Sequence, residues 1–212
     1  MFITFEGPDG SGKSTQIRKL SEYFAQQGYC VVVTNEPGDT QVGAQIRDLL
    51  LNPVYQGITP ETEALLYAAD RAQHVRQVIR PALEAGHVVI CDRYIDSTIA
   101  YQYFGRQLPG DFIECITRQA IDGIMPDVTV VLELSTEAAE RRFRRRAEEN
   151  QADYSVPDRL EQERMEFKDR VNEGFKYMAI HYPQRIMTVD ASGSIEEVWQ
   201  QILSGLRERN II

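Results

Sequence analysis

Eight consecutive residues, Gly7-Pro8-Asp9-Gly10-Ser11-Gly12-Lys13-Ser14, have the spacing G-x-x-x-x-G-K-[ST]. Glycines so placed let a backbone turn tightly and aim successive N–H groups at one point, a cradle for phosphate. A lysine and a hydroxyl at the start of the next helix add a cation for the β- and γ-phosphates and a ligand for Mg²⁺. Lys13 and Ser14 fill those places, Thr15 adjoins them as a further ATP-binding residue, and Asp9 is expected to help place metal and acceptor. A glycine-rich turn without a ligand would leave the lysine and the hydroxyl unexplained. A second group follows the apolar run Val88-Val89-Ile90-Cys91: Asp92 and Arg93. Alone, the pair reads as an ordinary ion pair at a strand end. Ligands of parallel sheets sit outside the carboxyl ends of strands, so a strand beside the P-loop would bring Asp92 to a Mg²⁺ ion and Arg93 to an acceptor phosphate.

The elements that must hold these groups alternate. Short Val- and Ile-rich runs at 2–6, 30–34, 88–91, 128–134 and 186–189 predict strands buried on both faces. Helical patterns separate them: one from Lys13 to Gly28, one from Thr59-Pro60 to Gly86, one over 112–121, and one after Ser194. Alternation of this kind predicts an α/β fold with three layers, α/β/α, around a five-stranded parallel sheet, in a single domain spanning 1–212. A polar stretch at 147–157 reads as an exposed loop, and Asp158 to Glu161 as a D-x-x-E helix start.

Composition bounds the function. The 212 residues carry a formal charge of -9, which disfavours nucleic acid as a partner. No stretch is apolar enough to span a bilayer, and the chain opens directly on a strand-like run, so a cytoplasmic protein is expected. The three cysteines, Cys30, Cys91 and Cys115, lack the spacing of a zinc site or a disulfide framework; Cys30 and Cys91, beside valine runs, read as buried.

Several ordered segments resemble the bacterial-type thymidylate kinases, within the P-loop nucleoside monophosphate kinases, over nearly the whole chain. They are Phe2-Ile3-Thr4-Phe5-Glu6-Gly7, Glu36-Pro37-Gly38, residues 65–71 (LLYAADR), Asp92-Arg93-Tyr94-Ile95-Asp96-Ser97, Ala100-Tyr101-Gln102 and Asp158-Arg159-Leu160-Glu161. The resemblance implies a P-loop fold with a lid, ATP with Mg²⁺ as donor, dTMP as acceptor, dTDP for deoxythymidine triphosphate synthesis as product, and a homodimer. It further implies that Tyr67 and Arg71 hold the thymine ring. Ser97, Thr98, Tyr101 and Gln102 would line base and sugar, Arg47 would grip the acceptor phosphate, and Glu36 would approach metal or sugar. Tyr67 and Arg71 lie four apart, on one face of a predicted helix; a packed tyrosine and a surface arginine would look the same without the other segments. Asp96 or Ser97 would cap the helix after Tyr94. This sequence departs from its relatives at Asn35 and Asp39, where arginine and glycine are usual, and at Tyr103-Phe104, where small residues are usual.

Arg141, Arg142, Arg144, Arg145 and Arg146 crowd one short segment. Glu137–Arg141 and Glu140–Arg144 are favourable i, i+4 pairs, which accounts for part of the run as a solvated face. Phosphoryl transfer needs a cation over the γ-phosphoryl oxygens. Position 10 is glycine, so the P-loop supplies none. One of Arg144, Arg145 or Arg146, with Arg145 preferred, is expected to close over ATP from a lid at 141–158, while Arg159 either contacts ATP or fixes the lid. Acceptor-side residues argue against an acceptor-free ATPase switch; a kinase for another deoxynucleotide remains the nearest alternative.

Overall fold

A computed structural model of the chain describes residues 1–149 and 157–212, and on the helix that ends at Glu149 the side chains up to Arg142 together with that of Arg145. Five strands, β1 (Phe2–Glu6), β2 (Val31–Asn35), β3 (Val88–Asp92), β4 (Val128–Glu133) and β5 (Ile186–Asp190), form one parallel sheet in the order β2-β3-β1-β4-β5. Each bound falls within a residue of its sequence expectation. β3 runs one residue further, through Asp92, because Asp92 still pairs with Phe5 and with Asn35.

Strand alternation assigns the two covering layers. Ile3 and Phe5 face a core shared with Ile17, Leu20 and Phe24 of α1 (Lys13–Gln26) and with Val198, Ile202 and Leu206 of α9 (Ile195–Glu208). Phe2 faces the opposite layer, with Val75, Ile79, Ala82 and Tyr94. That layer contains α3 (Pro60–His74), α4 (Arg80–Glu84), α5 (Ile95–Thr98) and α8 (Met165–His181), the last packed by Phe167, Val171 and Phe175 against Ala100. The remaining helices are α2 (Gln41–Leu51), α6 (Gly110–Ile121) and α7 (Thr136–Glu149). Thr59 caps α3 ahead of Pro60, and Ser194 with Glu197 forms a full capping box on α9. In two places the helical backbone widens to π turns: Val75–Ile79, joining α3 to α4, and Ile99–Gly105, continuing α5.

Four expectations change. Cys30 is exposed, because β2 is the edge strand and its flank meets solvent; Cys91, in the central β3, is buried. Neither Asp96 nor Ser97 caps α5: Asp96 is fully buried against Arg185 and Thr129, and Ser97 donates to Glu6. Asp158 and Glu161 do exchange reciprocal bonds, Glu161 N to Asp158 Oδ1 and Asp158 N to Glu161 Oε2, but the backbone makes only turns there and α8 begins at Met165. Residues 147–149 continue α7 rather than opening a loop; 150–156 of the expected loop and lid lie outside the described residues. Among the described residues no helix is long and apolar enough to cross a membrane.

Candidate active site

The P-loop leaves β1 at Gly7 and enters α1 at Lys13. Gly7, Gly10 and Gly12 have φ of 125°, 83° and 95°, a region closed to most L side chains. At Gly7 space is lacking as well: a Cβ would stand 2.4 Å from the Leu132 carbonyl oxygen at the end of β4. The loop curls so that the Lys13 ammonium, 7% exposed, donates to the Gly7 and Pro8 carbonyls at 3.1 and 3.2 Å and lies 3.5 Å from Asp9 Oδ1. Burial, then the nearby Arg93, lowers the Lys13 pKa.

Arg93 comes to the same carboxylate from the other side. Its Nη2 donates to Asp9 Oδ1 at 2.8 Å, its Nη1 donates to Ser97 Oγ at 3.3 Å, and its guanidinium lies over the Tyr101 ring, 5.2 Å from the centroid. Burial opposes the charge of Asp9, but Arg93 and Lys13 outweigh it and hold its carboxyl well below the usual carboxylate range. Burial likewise opposes the charge of Arg93, and Tyr101, Asp9 and Asp92 overcome it, raising its pKa. Asp9 therefore stands between two cations, one from each half of the sequence motif set.

One cleft of about 1170 Å³ runs along the carboxyl ends of the strands. Its lining includes the P-loop from Asp9 to Thr15 and Asp92, Arg93, Arg47, Tyr67, Arg71, Ser97, Thr98, Tyr101 and Gln102. Glu36, Arg142 and Arg145 also line it. On the acceptor wall Arg71 is 2% exposed. Its Nε donates to Glu36 Oε2 (2.7 Å), Nη1 to Thr98 Oγ1 (2.7 Å) and Nη2 to the Tyr94 carbonyl (2.9 Å). Glu36 is held from behind by His74 Nδ1 at 2.9 Å, and His74 Nε2 meets Thr34 Oγ1 at 2.6 Å. The Thr34 hydroxyl in turn donates to Asp39. Asp39 is thus tied to β2 and does not line the cleft, while Asn35 bonds the Pro37 carbonyl through Nδ2 and does. Arg47 bonds the same Pro37 carbonyl at 2.7 Å, packed so close to Gly38 that a Cβ there would come within 2.7 Å of Arg47 Cδ.

Arg159 departs from one of its two expected roles. It is buried, with Nε donating to the Leu50 carbonyl at 2.8 Å and Nη2 to Glu63 at 2.5 Å, and it does not line the cleft. Glu63 also takes Arg106 and the Gln102 amide, so a buried carboxylate bound by three side chains anchors this corner and holds Arg159. From the arginine run, Arg142 bonds the Ser192 carbonyl at 3.1 Å and, with Arg145, borders the cleft. The side chains of Arg144 and Arg146 lie outside the described residues.

Some lining residues had no short-range signal in the sequence. Gln16, Ala191, Gly193 and Ser194 close the donor end, where Gln16 Nε2 bonds the Ile195 carbonyl at 3.0 Å. Ser194 was readable only as a helix cap. Asp158 and Glu161 reach the cleft from their turn, and burial, then Asp158, pushes the Glu161 pKa up to about 7. Among the described residues no three metal-binding side chains gather. Asp92 nonetheless presents a buried Oδ1 with no hydrogen-bond partner, an oxygen suited to a hard cation or its water, and Ser14 lines the same cleft.

A P-loop and a second anion site, facing each other across one cleft of a parallel α/β sheet, define a P-loop kinase that serves a small phosphorylated acceptor. The thymidylate kinase family model matches residues 5–202. The chain is 47% identical over 209 residues to a thymidylate kinase of an Exiguobacterium species, covering 99% of this chain and 95% of that one. It is 45% identical over 207 residues to one from Pelotomaculum thermopropionicum, covering 98% and 93%. A crystal structure of thymidylate kinase from Ehrlichia chaffeensis matches with a TM-score of 0.77 and 32% identity, covering 97% of this chain and 98% of that one. The chain belongs to the thymidylate kinase family and is a nucleoside monophosphate kinase with the P-loop NTPase fold.

Proposed function

We infer that this chain transfers the terminal phosphoryl group of ATP to dTMP, giving dTDP and ADP, in the cytoplasm. The observation that carries the reading is Asp9 held between Lys13 and Arg93, since it sets a donor cradle and an acceptor cation a few ångströms apart. An acceptor phosphate oxygen attacks the γ-phosphorus; a new P–O bond forms as the bridge to the β-phosphate breaks and ADP leaves. The acceptor needs no base, because a phosphate monoester with a second pKa of about 6 is largely dianionic near neutrality. Lys13 neutralises the donor phosphates, Arg93 and Arg47 hold the acceptor phosphate, and Tyr67 with Arg71 orients the base. Catalysis is then positioning and charge neutralisation. Ser14 and Asp92 would hold Mg²⁺, which when bound neutralises charge between the β- and γ-phosphates.

The lid reading remains with the arginine helix: one of Arg144, Arg145 or Arg146, with Arg145 preferred because it borders the cleft, reaches the γ-phosphoryl and helps exclude water. We also propose a homodimer, supported by the exposed Val42 and Leu49 on one face of α2 and Leu65 on the adjoining α3. The test is a coupled assay of ADP release with ATP and each nucleoside monophosphate offered separately. Selective release with dTMP is expected; release without any acceptor, or equal release with all, would overturn the reading. Light scattering of the purified chain checks the dimer.

A further inference from the structure

Glu6, the last residue of β1, is fully buried and does not line the cleft. Its Oε1 accepts from the backbone N–H groups of Tyr94 (2.8 Å) and Ser97 (3.1 Å), and its Oε2 accepts from the Ser97 hydroxyl at 2.6 Å. One side chain thus reaches from the residue before the P-loop to both ends of the turn that follows Arg93.

We propose that Glu6 is a positioning residue for the acceptor-phosphate ligand Arg93, acting through the Ser97 hydroxyl; the proposal rests on the reading of Arg93 given above. An ionised carboxylate can only accept hydrogen bonds. The single hydroxyl proton of Ser97 therefore points at Glu6, which leaves the Oγ lone pairs facing Arg93 Nη1 at 3.3 Å. Arg93 is then fixed at both ends of its fork, by Ser97 on one side and by Asp9 of the P-loop on the other. Its backbone needs help as well. At φ 68° it is a non-glycine residue in the left-handed region, a conformation that persists only where its surroundings impose it. The two N–H bonds to Glu6 Oε1, at Tyr94 and Ser97, hold the segment immediately after it.

The experiment is a kinetic cycle on the full-length enzyme at alkaline pH, where Glu6 is ionised despite a pKa raised to about 7 by burial and then by Asp96. The variants are Glu6→Gln, Ser97→Ala and the double change. A glutamine oxygen can keep the two backbone bonds, but its amide NH₂ faces Ser97 and turns the hydroxyl proton toward Arg93. E6Q is expected to lower kcat/KM for dTMP about tenfold, with KM for ATP unchanged within about twofold, consistent with one lost bond to a charged group. S97A is expected to lose a similar factor, and E6Q in the S97A background to lose nothing further, because both act on one bond. Multiplicative losses would overturn the relay. A second pair avoids any folding defect of E6Q: S97T keeps the hydroxyl and is expected to stay near wild type, whereas the isosteric S97V is expected to lose about tenfold. Equal behaviour of S97T and S97V would also overturn it. R93A separates the two levels. If R93A leaves KM for dTMP unchanged, the reading of Arg93 itself fails; if R93A is severe and the cycle is multiplicative, only the relay fails.

Discussion

On one wall the Arg71 side chain is 2% exposed and each of its three nitrogens has a partner, whereas on α7 Arg145 is exposed at the rim of the same cleft. Both regions bring cations to one cleft, yet their surroundings differ. A buried guanidinium is tolerated only when its donors and charge are matched, so the wall's geometry is set by Glu36, His74, Thr98 and the Tyr94 carbonyl. A cation exposed at the rim has no such requirement, because solvent can match its charge and any partner it has contributes little. Selectivity belongs in the first kind of place, because a fixed fork rejects what does not fit. Assistance to a transient charge belongs in the second.

The contrast can be broken by substitution. R71A should show the largest effect: about a thousandfold loss in kcat/KM for dTMP, together with a fall in stability of roughly 3–5 kcal/mol from leaving Glu36 buried without its ion partner. A variant with normal melting would show that the wall is not prefixed. R145A should lower kcat roughly a hundredfold while lowering the melting temperature by no more than a few degrees, since contacts of an exposed cation are worth about 0–1 kcal/mol; a larger stability loss would move Arg145 into the first class. R159A sharpens the boundary between the two. Because Arg159 is bound to Glu63 and the Leu50 carbonyl, its loss should lower Tm by several degrees, with about 2–4 °C per kcal/mol in a chain this long, and leave KM for ATP within about twofold. A large rise in that KM would restore the ATP contact.

The smallest effect is in pH. Glu6 and Glu161 are raised to about 7 and Asp70 to about 6, in each case chiefly by burial. Groups with raised folded pKa values hold protons that the unfolded chain has already released. The stability they supply is complete below about pH 4 and is lost as pH rises through 6 and 7. Asp9, shifted the other way, contributes above its unfolded pKa of 3.8 and is constant across that window. Tm should therefore fall between about pH 5 and 8, and E6Q should flatten the fall by a few degrees. Melting curves that rise with pH would refute this.

The P-loop, the five strands and the caps of α3 and α9 were legible because each obeys a local rule: a spacing, an apolar run, a threonine or serine before a helix. Partners distant in sequence were not. Arg159 finds Glu63 across 96 residues, and Arg185 finds Asp96 across 89. Nothing near Arg159 announces the buried carboxylate of Glu63 on α3, so its sequence left open an ATP contact or a role in fixing the lid. Cys30 misled for a related reason. Its neighbours are valines, but strand order, which no local pattern encodes, put β2 at the sheet edge and left Val33 half exposed too. The role of Glu6 was hidden because its three donors all come from a turn some ninety residues further on.

The π turns of the acceptor wall have a consequence for how this pocket can change. In Ile99–Gly105 the winding is wider than in an α-helix; the Arg106 N–H reaches back five residues to the Tyr101 carbonyl. A regular helix advances about 100° per residue. Deleting one residue there would let the coil tighten to an ordinary α turn without leaving a gap, keeping the chain beyond it in phase and changing only which side chains of 99–105 face the cleft. A one-residue deletion in this segment is therefore a route to a differently lined pocket, reached in a single genetic step with the sheet and the phosphate cradle left alone.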